Sequence, residues 1–181
     1  MSATDDTDAA RRATYVMGDG IAADWAPERL AAWTAFVELA GRIKQVHDKE
    51  FEAEHALSLS MIGLMGRLAV AERRTLRLTD LATAMGLSLG RVSRIVDILE
   101  RRGLVERGPC PSDARAINAH LTRRGLAQVR KAQATVRAAV ERDFAFALDD
   151  DETAALAGAL ARMLARLGGG DDGADTCSGV G

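Results

Sequence analysis

The stretch Leu104–Gly125, LVERGPCPSDARAINAHLTRRG, decides the fold. Two alternating runs, Leu104–Arg107 and Ala116–Leu121, flank a segment holding Pro109 and Pro111. That is the composition of two short strands around a stiffened turn. Directly upstream, Leu78–Gly103 reads LTDLATAMGLSLGRVSRIVDILERRG, two short helical patterns separated by a glycine. A helix–turn–helix followed at once by a β-hairpin wing is a device for gripping duplex DNA.

Working outward, Arg74–Leu78 supplies a short strand, and Thr79 is expected to cap a helix over Asp80–Met85 that Gly86 closes. Ser88 caps the next helix, Leu89–Arg102, which stops at Gly103. A step of about 100° per residue puts Val92, Ile95, Val96 and Leu99 on one side of it. Gly90, Ser93, Arg94, Asp97 and Arg101 fall on the opposite side, with Arg91 at the flank. One stripe seats the helix on a core, and the other reaches bases and phosphates. Arg91 and Arg94 carry the planar fork that pairs with guanine O6 and N7 or clamps a phosphate. Ser88 and Ser93 offer hydroxyl donors, although Ser88 is first a helix cap. Gly90 removes a side chain where the helix N-terminus approaches DNA. In the wing, Asp113 sits two residues before Arg115. The two either pair and hold the tip rigid or leave Arg115 to enter the minor groove, and both roles are compatible. Any one of these arginines read alone is a solvated surface residue; their shared face makes the case.

Pro27 suits the first turn of a helix whose Leu30, Trp33, Val37 and Ala40 recur at 3–4 spacing, broadened by Phe36, Leu39, Ile43 and Val46. Ser58 caps a second helix with Ile62, Met65 and Leu68; Gly63 and Gly66 within it allow close packing or leave room for a ligand. Thr122 caps a long helix to about Leu148, carrying Leu126, Val129, Val136 and Val140. Asp149 or Asp150 opens the last one, lined by Leu156, Leu160, Met163, Leu164 and Leu167. Residues 1–24, polar and acidic, read as a disordered arm, and residues 168–181, GGGDDGADTCSGVG, as a flexible tail. The expected domain is 25–167, mainly α with a small β-hairpin wing. Residues 58–121 form the winged helix–turn–helix, and 25–57 with 122–167 form dimerisation helices. The apolar stripes of those outer helices exceed what the small central unit covers, so they pair two copies or pack as an intramolecular bundle.

The charge agrees. The net charge is −2, yet Arg73–Lys131 holds 13 Arg and Lys against 5 Asp and Glu, a balance of +8 that leaves −10 for the rest. A basic middle between acidic ends suits a polyanionic partner. No apolar run is long enough for a membrane span, and the acidic N-terminus is unlike a secretory signal. Two cysteines are too few for a disulfide scaffold, so a reducing cytoplasm is the expected compartment.

The pattern Asp-x-Arg-x5-Leu-Thr-x2-Gly, here Asp113, Arg115, Leu121, Thr122 and Gly125, resembles the MarR family of winged-helix transcriptional regulators. So does GLVERGPCPSDAR following VSRIVDILERR, and the likeness in helix order runs from about Leu30 to Leu167. The acidic arm and glycine-rich tail depart from a minimal member. The resemblance implies a homodimer on a pseudo-palindromic operator, each recognition helix in the major groove and each wing near the minor groove. It also implies repression of nearby genes and release by a small aromatic, phenolic or antibiotic-like molecule. Family pockets lie between the dimer helices and the winged-helix lobe, which points loosely to Trp33, Phe36, His47, His55, Met61, Met65 and Arg67. Core packing and surface placement are the plainer readings of those seven.

Other chemistry is sparse. Cys110 lies near Arg107 and Arg115, so a thiol-redox response is an alternative. Family members that sense oxidants, however, usually carry their reactive cysteine nearer the N-terminus, where this chain has none. His47 with Glu50 and Glu54 makes a weak metal pattern, no cofactor is implied, and no nucleophile or phosphate-loop motif suggests an enzyme. A sequence-tolerant architectural DNA binder and a protein-interaction module with a vestigial wing are the competing classes.

Overall fold

The structure, a computed structural model, describes residues 25–110 and 113–168, with Ala114 and Arg115 described in their backbone only. The acidic arm, residues 169–181 of the glycine-rich tail with Cys177, Pro111, Ser112 and the Arg115 side chain therefore lie outside the described residues. The chain divides into two compact units, Met1–Lys49 and Glu50–Gly181. The first helix, α1 (Pro27–His55), begins at the expected proline and runs through that division.

In the first unit α1 carries i,i+4 pairs that suit a solvated helix face, Arg42 with Glu38 at 2.5 Å and Lys44 with Asp48. It also exposes an apolar set, Trp33, Phe36, Val37, Leu39 and Val46, while Thr34 and His47 are buried.

The second unit runs α2 (Leu59–Val70), a 3-10 turn (Glu72–Arg74), β1 (Thr75–Arg77), α3 (Leu78–Met85), α4 (Leu89–Arg101), β2 (Val105–Cys110), β3 (Asp113–Leu121), α5 (Arg123–Val140), a π-helical turn (Glu141–Ala145) and α6 (Asp150–Gly168). Capping chemistry sets most of these boundaries. Ser58 accepts from Met61 N and Ser88 from Arg91 N, each at 3.3 Å, the hydroxyl-to-first-turn bond of a helix N-cap. Gly86 at φ 60° and Gly103 at φ 67° close α3 and α4 in the left-handed conformation that glycine adopts without strain. Asp149 and Glu152 open α6 as a reciprocal capping box, with bonds of 2.8 and 3.0 Å.

Four expectations are corrected. Thr79 does not cap α3. The helix starts at Leu78, 5 % exposed, and Arg77 caps it by backbone geometry alone, while Thr79 donates to its neighbour Asp80. The strand placed at Arg74–Leu78 is only Thr75–Arg77, preceded by the 3-10 turn. Pro109 lies in a strand, paired with Ile117, rather than in the turn. It is tolerated because β2 is an edge of the three-stranded antiparallel sheet β1–β3–β2. The long helix expected to reach Leu148 gives way after Val140 to the π-helical turn, where Arg142 forks onto Glu50 at 3.0 and 3.3 Å and also bonds Asp143 at 2.7 Å.

The core of this unit sits between α2, α3, α4, α5 and the sheet. Leu64, Met65, Leu68, Leu81, Val92, Val96, Leu99, Val105 and Leu121 are fully buried there. Thr122 joins the sheet to α5. Its hydroxyl donates to the carbonyls of Gly103 at 2.9 Å and Leu104 at 3.1 Å and accepts from Gly125 N at 2.9 Å. Thr122→Ala is expected to lower stability by about 0.5–2 kcal/mol, the range for a missing N-cap, and Thr122→Ser to recover most of it. Thermal melting of the two variants side by side checks this.

Candidate nucleic-acid interface

The recognition helix of the sequence reading is α4, and its inner stripe is as expected: Val92, Ile95, Val96 and Leu99 are all buried. Its outer surface is divided in a way that the helical pattern alone does not show. Arg107, on β2, lies across the helix and binds three successive turns of it. Its Nη2 donates to the Ser93 carbonyl at 2.9 Å and the Ser93 hydroxyl at 3.0 Å. Its Nη1 donates to Asp97 and, at 3.4 Å, to Glu100. The Arg107 backbone N–H adds a bond of 3.1 Å to Glu100 Oε1. Ser93, Asp97 and Glu100 stand at i, i+4 and i+7, so they form one stripe. That stripe faces the wing strand.

Ser93 and Asp97 are thus half-buried and engaged by the wing strand, the Ser93 hydroxyl as an acceptor. The arc that stays open runs through Gly90, Arg91, Arg94 and Arg101, all exposed. Among the described residues no side chain engages the Arg91 or Arg94 guanidinium, which leaves both available to bases and phosphates. Ser88 is exposed at the helix N-terminus, its hydroxyl already bonded to Arg91 N. At the wing, Asp113 stands 4.0 Å from Arg77 Nη1, tying β3 to the strand that leads into α3. Its expected pairing with Arg115 lies outside the described side chains.

The candidate effector residues are divided between the two units. In the first unit, Trp33 and Phe36 are exposed with ring centroids 6.5 Å apart, and His47 is buried. In the second, Met65 is fully buried and Met61 packs against the core, which gives both methionines packing roles. Arg67 donates to the carbonyls of Gly63 at 3.3 Å and Ala84 at 2.9 Å, pinning α2 to the end of α3. His55 Nε2 lies 2.8 Å from Thr135 Oγ1, which donates to Glu54 at 2.9 Å, so this histidine belongs to a junction between α1 and α5. Cys110 is only 3 % exposed, and burial removes the access a thiol sensor needs. Among the described residues no group of His, Cys, Asp or Glu is placed to hold a metal ion, and no helix is long and apolar enough to cross a membrane.

Comparison with known proteins extends the geometry. The family model described as MarR family matches residues 69–117, the segment from the end of α2 into β3. The crystal structure of AbsC, a MarR family transcriptional regulator from Streptomyces coelicolor, is 30 % identical. It covers 76 % of this chain and 93 % of its own, with a TM-score of 0.71. Sco3205, a MarR family regulator of the same organism solved in complex with DNA, is 27 % identical. It covers 83 % of this chain and 92 % of its own at a TM-score of 0.76. A putative transcriptional regulatory protein for the hcr operon of Thauera aromatica is 36 % identical over 103 residues, which span 56 % of this chain and 61 % of that relative.

Proposed function

Because this chain belongs to the MarR family of transcriptional regulators, we propose that it acts as a homodimer on a pseudo-palindromic operator, represses the genes there, and leaves DNA when a small aromatic or antibiotic-like molecule binds. The observation that carries the DNA-binding part is α4. It is a helix seated by a wholly buried stripe, held from the side by Arg107, and open along an arc of Gly90, Arg91 and Arg94. Ser88 orders the N-terminus of that helix, and Asp113 and Arg115 belong to the wing. That Sco3205 was crystallised with DNA supports the same use of the shared fold. Dimerisation is supported by apolar surface left open in each unit: Trp33, Phe36, Val37, Leu39 and Val46 on α1, and Met163, Leu164 and Leu167 on α6.

Site selection from a randomised duplex pool tests the reading and requires no assumption about the operator sequence. The expected product is an inverted repeat with half-sites about one helical turn, roughly 10 bp, apart, because a two-fold dimer presents its recognition helices at that spacing. Equal affinity for all duplexes at fixed physiological salt would support the architectural alternative instead. Once a site is in hand, a gel shift against a panel of phenolic and antibiotic-like compounds reads out the proposed release.

A further inference from the structure

The contacts made by Arg107 suggest a role beyond stability, and it rests on the DNA-binding reading above. We propose that Arg107 is the positioning residue that fixes the rotation of the recognition helix about its own axis, so that sequence selectivity depends on a side chain that itself reads no base. The argument starts from the way α4 is held. Its buried stripe decides which side faces the core, but hydrophobic contact is non-directional and leaves the fine rotation of the helix to be set by directional bonds. A fork with directional donors supplies what that contact lacks. Arg107 Nη2 grips Ser93 through both its carbonyl and its hydroxyl, while Nη1 reaches Asp97 and Glu100 one and two turns further on. The grip covers the middle and end of a 13-residue helix and is itself fixed by the sheet, where Arg107 pairs with Ala119 of β3.

The same contacts account for a peculiarity of the sequence. Asp97 and Glu100 are carboxylates on a helix meant to lie against phosphates, where they would repel. Turned to the wing and matched by Arg107, they hold the helix rather than oppose the DNA. Arg94 lies one residue past the gripped Ser93, so its direction is set by that grip. The two carboxylates are partly exposed, at 41 % and 40 %, so the device works through geometry more than through buried charge.

The decisive experiment uses the full chain, a duplex enriched from a randomised pool by the wild-type protein, and a random duplex of equal length. The key variant is Asp97→Asn. A carboxylate merely lying near DNA would, when neutralised, leave binding to both duplexes tighter. The positioning role demands the opposite: Asp97→Asn weakens binding to the enriched duplex while random-duplex affinity holds or rises. Arg107→Met is expected to bind the enriched duplex about tenfold or more weakly, in line with removal of several charge-assisted bonds, with the salt dependence unchanged because Arg107 neutralises no phosphate. Arg107→Lys, which keeps the charge but not the fork, is expected to lose selectivity as well. Should Arg107→Met fail to fold, Asp97→Asn and Arg107→Lys still decide the matter. Tighter binding of the enriched duplex by Asp97→Asn, or full selectivity in Arg107→Lys, overturns the positioning role. A wild-type protein that enriches no sequence overturns the regulator reading itself, and the positioning role falls with it.

Discussion

Gly125→Ala is expected to unfold this protein or to lower its melting temperature more than any other single methyl group added to it. A Cβ built on Gly125 would stand 2.1 Å from the Leu104 carbonyl oxygen, 2.7 Å from Leu121 Cδ1 and 3.0 Å from the Leu104 carbonyl carbon. The first and third of these are backbone atoms, so no rotamer change relieves them. The approach is close because Thr122 makes it so. Its N–H donates to Leu104 O at 3.1 Å and its hydroxyl to the same oxygen at 3.1 Å, drawing that carbonyl onto the first turn of α5. Either the carbonyl retreats and the cap is broken, or α5 shifts off the sheet and opens the core at Leu121. Overpacking against an immovable neighbour combined with a broken cap is expected to cost about 4 kcal/mol or more, a large share of a domain's total stability. For a chain of this size that corresponds to a fall of roughly 8–16 °C in melting temperature. Gly66→Ala is the control: its added Cβ meets nothing within 4 Å, so a helix interior gains a better helix former, and stability is expected to hold or rise by about 0.5–1 kcal/mol. Melting curves followed by circular dichroism would sink the account if Gly125→Ala stayed within about 2 °C of the parent, a shift that corresponds to about 0.5–1 kcal/mol here.

Gly125 also illustrates what can be read from residues alone. The run Leu121–Thr122–x–x–Gly125 is legible as a pattern, and Thr122 as a cap, because capping is local chemistry between a hydroxyl and an N–H three residues on. Ser58, Ser88, Gly86 and Gly103 are legible for the same reason. So is the stripe Val92, Ile95, Val96 and Leu99, since helical period alone decides which residues face a core. What escapes the sequence depends on pairing across distance. Thr79 looks like the better cap, but burial of Leu78 draws the helix start back to the residue following β1. The π-helical turn after Val140 interrupts a pattern with no Gly or Pro beyond Gly125, at the place where Arg142 forks onto Glu50 from the far end of α1. The bond from Arg107 to Ser93 spans 14 residues and exists only once the hairpin register is fixed. One signal does stand in the sequence: Asp97 and Glu100, carboxylates at helical spacing from Ser93, have no place on a surface meant for phosphates and require a cation nearby.

The double variant Arg91→Ala with Arg94→Ala is expected to weaken binding to the enriched duplex by about 100-fold or more while leaving the fold intact. Each arginine is exposed on the open arc of α4, three residues from the other, so the two present forks along one face. In that respect they differ from Arg67, Arg102, Arg107 and Arg142, whose guanidinium groups are bonded within the second unit. A bidentate base contact carries about 1–3 kcal/mol of discrimination, so two of them, or one with a phosphate contact, reach the expected effect. Removing an exposed side chain away from caps and core shifts stability by no more than about 0.5 kcal/mol, so melting temperature should barely move. The single variants then assign the roles. Removing an arginine that holds a phosphate lowers affinity for all duplexes alike and reduces the salt slope by about 1. Removing one that reads a base leaves the slope and relaxes selection at one position of each half-site. Position matters here: Arg91 lies in the first turn, beside Gly90, at the helix end proposed to approach a groove, and Arg94 follows one turn on. Unchanged affinity of the double variant at fixed salt would remove both residues from the interface and leave the open arc of α4 without its principal cations.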